Sequence, residues 1–350
     1  MNGTRPAPAL PPGARRPRYM ETVKNGRLHG PLSLRTHPGL PTRRHPRRGR
    51  RRAAALLAAA ALAAGCGGGS GEERVSAFTG EQAGLARVVA VKVGNAPKAR
   101  PQTGLDAADL VYVEEVDDGL TGFAALYSGE LPDLVGPVRG VRETDLRLLR
   151  QFGRPALAYA GVQSMLQPRL DKAPLFAVPE SAASGAYERH DDRPAPNDLY
   201  VHPAAVLDAA PDASPPRDVG LRFGKAPRAG GEVTKHVEVS YPHAGLAFDW
   251  DREREEWRIS LDGEPADLYA TTVVIQSVTV AQSRFHDAEG GSTPFSETVG
   301  AGEATVLREG MQFRARWSRE KAGDVTEFTT PGGDPFRFAP GRVWVVLAPR

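Results

Sequence analysis

The chain has 350 residues, enough for two ordinary domains. Its net charge of +3 hides an asymmetry: residues 1–65 hold 14 Lys or Arg and one acidic residue, leaving 31 basic against 41 acidic residues from position 66 onward. An acidic body repels nucleic-acid phosphates, so no nucleic acid is expected as a partner, and a lone Cys66 excludes disulfides within the body.

The first 65 residues read as a leader. Residues 1–42 are rich in Pro, Arg and Gly without apolar periodicity, and are expected either to be disordered or to precede a later start at Met20. A basic stretch from Arg43 to Arg52 then leads into an apolar run from Ala53 to Gly65. A permanent membrane helix needs about 20 apolar residues, so this shorter run reads as the core of a signal peptide. It ends LAAGC (62–66) and is followed by GGGSG (67–71). Small residues before a cysteine admit a signal peptidase, and a diacylglyceryl thioether on Cys66 would hold the product at the membrane. The segment resembles a lipobox with one departure: Ala63 stands where a large aliphatic residue is usual, and Leu62 lies one position further out. Cleavage near Ala64 without lipidation and an uncleaved anchor are the alternatives. Residues 66–84 are expected to be a flexible tether, and the body to lie at the outer face of the cytoplasmic membrane.

From Arg87 the pattern becomes regular. Strands are expected over Arg87–Val93, Asp109–Val116, Phe123–Tyr127, Pro155–Ala160 and Phe176–Val178, being β-branched or apolar runs bounded by turn residues. Helical signals fall near Leu105–Ala108, from Thr144 to Phe152, and from Pro203 through Ala210, where Pro203 suits a first turn. Strands alternating with helices imply an α/β domain over residues 85–215. Beyond the Pro-rich seam Pro211–Arg217 the helical signals stop. Val233–Tyr241, Leu246–Trp250, Glu256–Leu261, Thr271–Val280, Glu303–Leu307, Gln312–Trp317, Val325–Thr329 and Arg342–Leu347 read as strands separated by turn pairs such as Asp262-Gly263. Residues 230–350, which hold all four Trp, are therefore expected to form a mostly antiparallel β domain or small barrel.

No nucleophile elbow, phosphate loop or zinc-helix motif is present. His190-Asp191-Asp192 could ligate a hard cation, but neighbours in a loop point apart, so no metal and no cofactor is expected. The densest polar cluster is GPVRGVRETD (136–145). Arg139 and Arg142 precede a helix start capped by Thr144 or Asp145, and guanidinium forks beside free helix N–H groups favour an anion. Internal salt bridges to Glu114 or Glu115 are the structural alternative. In a second patch, Arg193 to Tyr200, two prolines fix an extended approach and Asn197 can cap the following turn.

The stretches VAVKVGNAPKARPQTGLDAADLVYVEE (89–115), GPVRGVRETD (136–145) and APNDLYV (195–201), with TVGAGEATV, MQFRARWSR and GRVWVVLAP (298–349), resemble the YerB-like family of Gram-positive lipoproteins, a domain family without an assigned function. The resemblance implies an extracytoplasmic location and an α/β domain followed by a β-rich one. It maps a polar signature onto Asn95, Arg100, Glu114, Arg139, Arg142, Asp145, Asn197 and Tyr200, all but Arg100 being the expected ligand-binding set. Two departures stand out: Gly122 replaces an arginine usual before Phe123, and Gly140-Val141 replaces a Ser and a small residue.

Three functions compete. One is an envelope binding module with a cationic pocket for a wall polymer or a peptide carboxylate. Another is a glycan hydrolase or lyase using paired carboxylates such as Glu114 and Asp145. The last is a scaffold that holds an envelope protein through an exposed Trp patch.

Overall fold

Arg74–Val75 (β1) and Gln82–Ala83 (β2) pair antiparallel around a tight turn. The Ser76 hydroxyl accepts the N–H groups of Phe78 and Thr79 inside that turn. Phe78 is fully buried, edge-on to Phe152 at 5.5 Å. The computed structural model describes residues 74–84, 87–286 and 292–350; the leader, Cys66 and the first part of the expected tether lie outside them. The tether over 66–84 is thus corrected: its second half belongs to the folded body, because an aromatic ring within it gains more by burial than a linker loses in freedom.

The next strands are Val89–Gly94 (β3), Leu110–Glu115 (β4), Thr121–Tyr127 (β5), Ala156–Tyr159 (β6) and Phe176–Pro179 (β7). Every residue of β3, β4 and β5 is buried, as in strands covered on both faces. Tyr187–Arg189 (β8) and Leu199–Val201 (β9) form a small antiparallel pair. Among the described residues the α-helices are short: Glu143–Leu148 (α1), continued by a 3-10 turn to Phe152, Gln167–Leu170 (α2), and Pro203–Ala209 (α3), with Pro203 in its first turn. None of the described helices is long and apolar enough to cross a membrane.

Then come Gly231–Val233 (β10), His236–Ser240 (β11), Gly245–Asp251 (β12), Glu256–Leu261 (β13), Glu264–Ala270 (β14), Thr272–Val278 (β15), Val280–His286 (β16), Ser292–Ser296 (β17), Gly300–Arg308 (β18), Met311–Arg319 (β19), Glu327–Thr329 (β20) and Val343–Pro349 (β21). Strands β11 to β14 make a four-stranded antiparallel sheet, and β16 and β17 a separate hairpin.

The main sheet runs β10-β19-β18-β15-β21-β4-β5-β3-β6-β7, with β20 on the side of β19. The last strand, β21, is the joint: it pairs parallel with β15 on one side and with β4 on the other. The expected α/β unit followed by a separate antiparallel one is therefore corrected to a mostly β fold with a mixed sheet common to both halves. Helices of four to seven residues cannot cover a sheet face as α/β crossovers do; strands of the other half supply the missing neighbours.

Alternation along the strands sorts the core into two faces. Val89, Val91, Val93, Val111, Val113, Phe123 and Trp344 pack on one, with Phe248 and Trp257 of the four-stranded sheet. Ala90, Leu110, Tyr112, Ala124 and Val345 pack on the other, with Leu148 of α1. Trp257, Trp344 and Trp317 are buried, and Trp250 is half-buried against Trp257.

Candidate functional site

The same alternation that sends Ala90 and Leu110 to the α1 face sends Lys92 and Glu114 there too. Strand β5 lies between theirs, pairing Lys92 with Ala124 and Glu114 with Gly122. Because these intervening residues are so small, two long side chains can meet above them. The Lys92 ammonium makes a short contact with Glu114 Oε1 and bonds Asp145 Oδ1 at 2.7 Å. All three are buried, with 2%, 1% and 0% of their side chains exposed. Asp145 reaches Lys92 from the first turn of α1, where its other oxygen accepts the Arg142 N–H at 2.7 Å. Asp145 thus caps α1 and fixes Lys92 with one side chain.

Burial alone would lower the Lys92 ammonium, but the charges of Asp145 and Glu114 outweigh it and hold it above its ordinary value. Burial, reinforced by the Asp145 charge, pushes the Glu114 carboxyl up to about 7 against the pull of Lys92. Glu114 Oε2 is buried without a hydrogen-bond partner. One ammonium facing two carboxylates away from water leaves the second carboxylate under-compensated, so it holds a proton near neutrality.

This has a signed consequence for stability. A carboxyl whose folded value exceeds its unfolded value stabilises the fold fully below the unfolded value and loses that contribution as pH rises through the folded one. The Glu114 contribution should therefore decline between its ordinary 4.5 and about 7. Chemical denaturation across pH 4.5–8 should show wild-type stability falling relative to Glu114→Gln; a constant difference would show that Glu114 does not titrate in this range.

Above Lys92 the segment 136–142 takes over as neighbour of β3 where β6 leaves it. Strand β6 pairs with β3 only through Val91; Val93 then bridges to Val138, and the Arg139 N–H bonds the Lys92 carbonyl at 2.8 Å. The result is a cleft of about 210 Å³ at the end of β3, with Lys92, Asn95, Asp117, Gly122, Arg139 and Arg142 in its wall. Gly122 lines this wall at the position where the resemblance expects an arginine.

The two arginines differ. Arg142 makes a short ion pair with Asp117 and donates to the Val141 carbonyl, while its Nε is buried without a partner. Of the carboxylates expected to pair with it, Glu114 pairs with Lys92 instead. Arg139 donates to the Pro196 carbonyl at 2.9 Å and has no carboxylate within 4.0 Å among the described residues. Burial, and then the charge of Arg142, lower its guanidinium below the usual value.

Asn95 is locked in place: its Nδ2 donates to Thr121, and its Oδ1 accepts from Arg100 and Gln102. Arg100 also pairs with Asp262 at 2.7 Å, tying this loop to the four-stranded sheet. Of the expected set, Asn95, Glu114, Arg139, Arg142 and Asp145 come together at or directly behind the cleft. Asn197 and Tyr200 do not line it. The Asn197 N–H closes a turn to Pro194, and Tyr200 is buried, stacked on His190 at 4.1 Å. Arg139 reaches their loop by donating to the Pro196 carbonyl. Lys92 was absent from the expected set, although a lysine inside the apolar run RVVAVKV was the available signal. Among the described residues no group of three His, Cys, Asp or Glu side chains could hold a metal ion.

Comparison with known proteins extends the resemblance over most of the body. Residues 78–216 match the family model described as "Protein of unknown function (DUF3048) N-terminal domain", and residues 237–345 match its C-terminal counterpart. YerB of Bacillus subtilis (strain 168), named as a candidate lipoprotein, is 23% identical over 273 residues, covering 75% of this chain and 81% of YerB. The crystal structure of the YerB protein from Bacillus subtilis superposes with a TM-score of 0.66 at 21% identity, covering 79% of this chain and 96% of that one. The chain belongs to the YerB-like family of unknown function, whose two domains are described as DUF3048.

Proposed function

We propose that this protein is an extracytoplasmic lipoprotein, held through Cys66 at the outer face of the cytoplasmic membrane, whose cleft takes a single anionic group such as a carboxylate of a wall polymer or peptide. The lipoprotein part is supported by the LAAGC sequence at 62–66 and by the description of its relative YerB. The binding part rests on one observation: Arg139 lines a partly buried cleft and, among the described residues, has no carboxylate within ion-pair distance. A half-buried guanidinium that no carboxylate contacts directly carries an electrostatic cost that an incoming carboxylate relieves through a charge-assisted, two-pronged bond. The network of Lys92, Glu114 and Asp145 holds the cleft floor rigid behind it.

Burial weighs against the reading as a glycan hydrolase or lyase. Glu114 and Asp145 are both engaged on Lys92 and closed to solvent, whereas glycoside chemistry requires two carboxyls flanking an accessible bond. A Trp-mediated scaffold lacks its patch, because three of the four Trp side chains are buried and the fourth packs on one of them. A muropeptide with free carboxylates should bind the full chain more tightly than its amidated counterpart. Arg139→Ala with Arg142→Ala should weaken that binding by about 1.5–3 kcal/mol, the range for a hydrogen bond to a charged group. Arg139→Ala alone, which breaks no ion pair, keeps the test readable if the double variant folds poorly. Unchanged affinity would end this reading.

A further inference from the structure

A second cleft, of about 330 Å³, opens on the other side of α1. Its wall carries five cations, Arg147, Arg150, Arg169, Lys172 and Arg284, and a single carboxylate, Glu143. Local geometry gathers them. Glu143, Arg147 and Arg150 follow at intervals of four and three along α1 and its 3-10 extension, and Arg169 and Lys172 are three apart at α2, so each group shares a face. Buried Leu166 and Phe285 add an apolar wall.

The charges are unbalanced. Arg147 pairs with Glu297 through two bonds of 2.7 and 3.0 Å, and Arg284 approaches Glu143 at 3.8 Å. Arg150, Arg169 and Lys172 have no carboxylate within ion-pair distance among the described residues. Nearby, buried Arg319 donates to the carbonyls of Arg147 and Leu148 and adds a further positive charge behind the site. All this sits in a body with 31 basic and 41 acidic residues from position 66 onward, so a local excess of cations is not a background property of the surface.

We propose that this cleft binds a phosphate group, as a monoester or phosphodiester. Three uncompensated cations around one cleft exceed what a single carboxylate can neutralise. A phosphate monoester offers up to two charges and a phosphodiester polymer or membrane offers one per repeat or headgroup, and both present acceptor oxygens to guanidinium forks flanking an ammonium. The cleft is of a size to hold one phosphate with its ester neighbour, and the apolar wall suits the ester side. The two sources of such a group are a soluble phosphodiester polymer and an anionic phospholipid headgroup.

The test is titration of the full chain with a short glycerol-phosphate oligomer, with poly-glutamate of equal charge, and with phosphatidylglycerol vesicles against phosphatidylcholine vesicles. Arg150 and Arg169 are exposed, so Arg150→Glu with Arg169→Glu should fold with an unchanged thermal midpoint. Saturable binding of the oligomer that the double variant weakens about tenfold or more supports the soluble source. Binding only to phosphatidylglycerol vesicles, lost in the same variant, supports the headgroup source. Arg169→Lys, which keeps the charge but loses the fork, should bind between wild type and the double variant. Poly-glutamate binding as tightly as the oligomer, binding unaffected by the double variant, or no binding to either phosphate probe overturns the proposal. These variants leave Arg139 and Arg142 in place, so the two clefts are tested separately.

Discussion

Lys92→Met is expected to destabilise the fold by about 3–5 kcal/mol at pH 8, the range for removing one partner from a buried ion pair. The loss does not come from packing, since Met has nearly the same length and volume. It comes from Glu114 and Asp145, which would face each other inside the protein with no cation between them. The defect should be sensitive to pH in a defined direction. Without Lys92, Glu114 loses the main charge that opposes its burial and binds its proton more tightly still in the folded state, so the folded variant is penalised least at low pH and most above that folded value. Chemical denaturation at pH 5 and pH 8 should therefore show the gap between wild type and Lys92→Met widening with pH. A gap below about 1 kcal/mol at pH 8, typical of an exposed pair, would mean that Lys92 is not the buried centre of this site.

Phe78→Ala should cost about 3–5 kcal/mol, as for other fully buried aromatic rings. The ring fills a space against Phe152 on the core face that also holds Leu148 and Tyr112. A residue in a flexible tether would give a change near zero. This experiment locates the boundary between linker and body, and it bears on the clefts as well: Phe152 ends the 3-10 turn that carries Arg150. An unchanged midpoint in thermal unfolding would return residues 74–84 to the tether.

Much of the strand pattern was legible because it depends on local alternation. The apolar runs at Val89, Leu110, Thr272 and Val343 are strands close to where their sequences place them. Two of the strands left unread carry proline: Pro265 in β14 and Pro294 in β17. Proline demotes a run as a central strand but is tolerated at an edge. Both prove to be edge strands, β14 at the margin of the four-stranded sheet and β17 in a two-stranded hairpin. The common sheet was not legible, because the insertion of β21 between β15 and β4 joins segments far apart in sequence and leaves no periodic trace.

The candidate site divides the same way. Arg139, Arg142 and Asp145 fall in one dense segment, where polar composition and a helix start mark them together. Lys92 was hidden because its meaning depends on strand order: only with β5 between β3 and β4, and with Gly122 and Ala124 at the crossing, does a lysine in an apolar run meet two carboxylates. Tyr200 was read as a site residue because the family resemblance maps its polar signature there, but its ring packs against Gly136 and His190 and serves the local packing.

The most direct measurement is nitrogen-edited NMR of the arginine Nε–Hε groups during titration with a muropeptide bearing free carboxylates. The signals of Arg139 and Arg142 should shift saturably, and the amidated peptide should leave them in place. Saturable binding during which both signals stay fixed would contradict the assignment of the cleft beside Lys92 as the anion site.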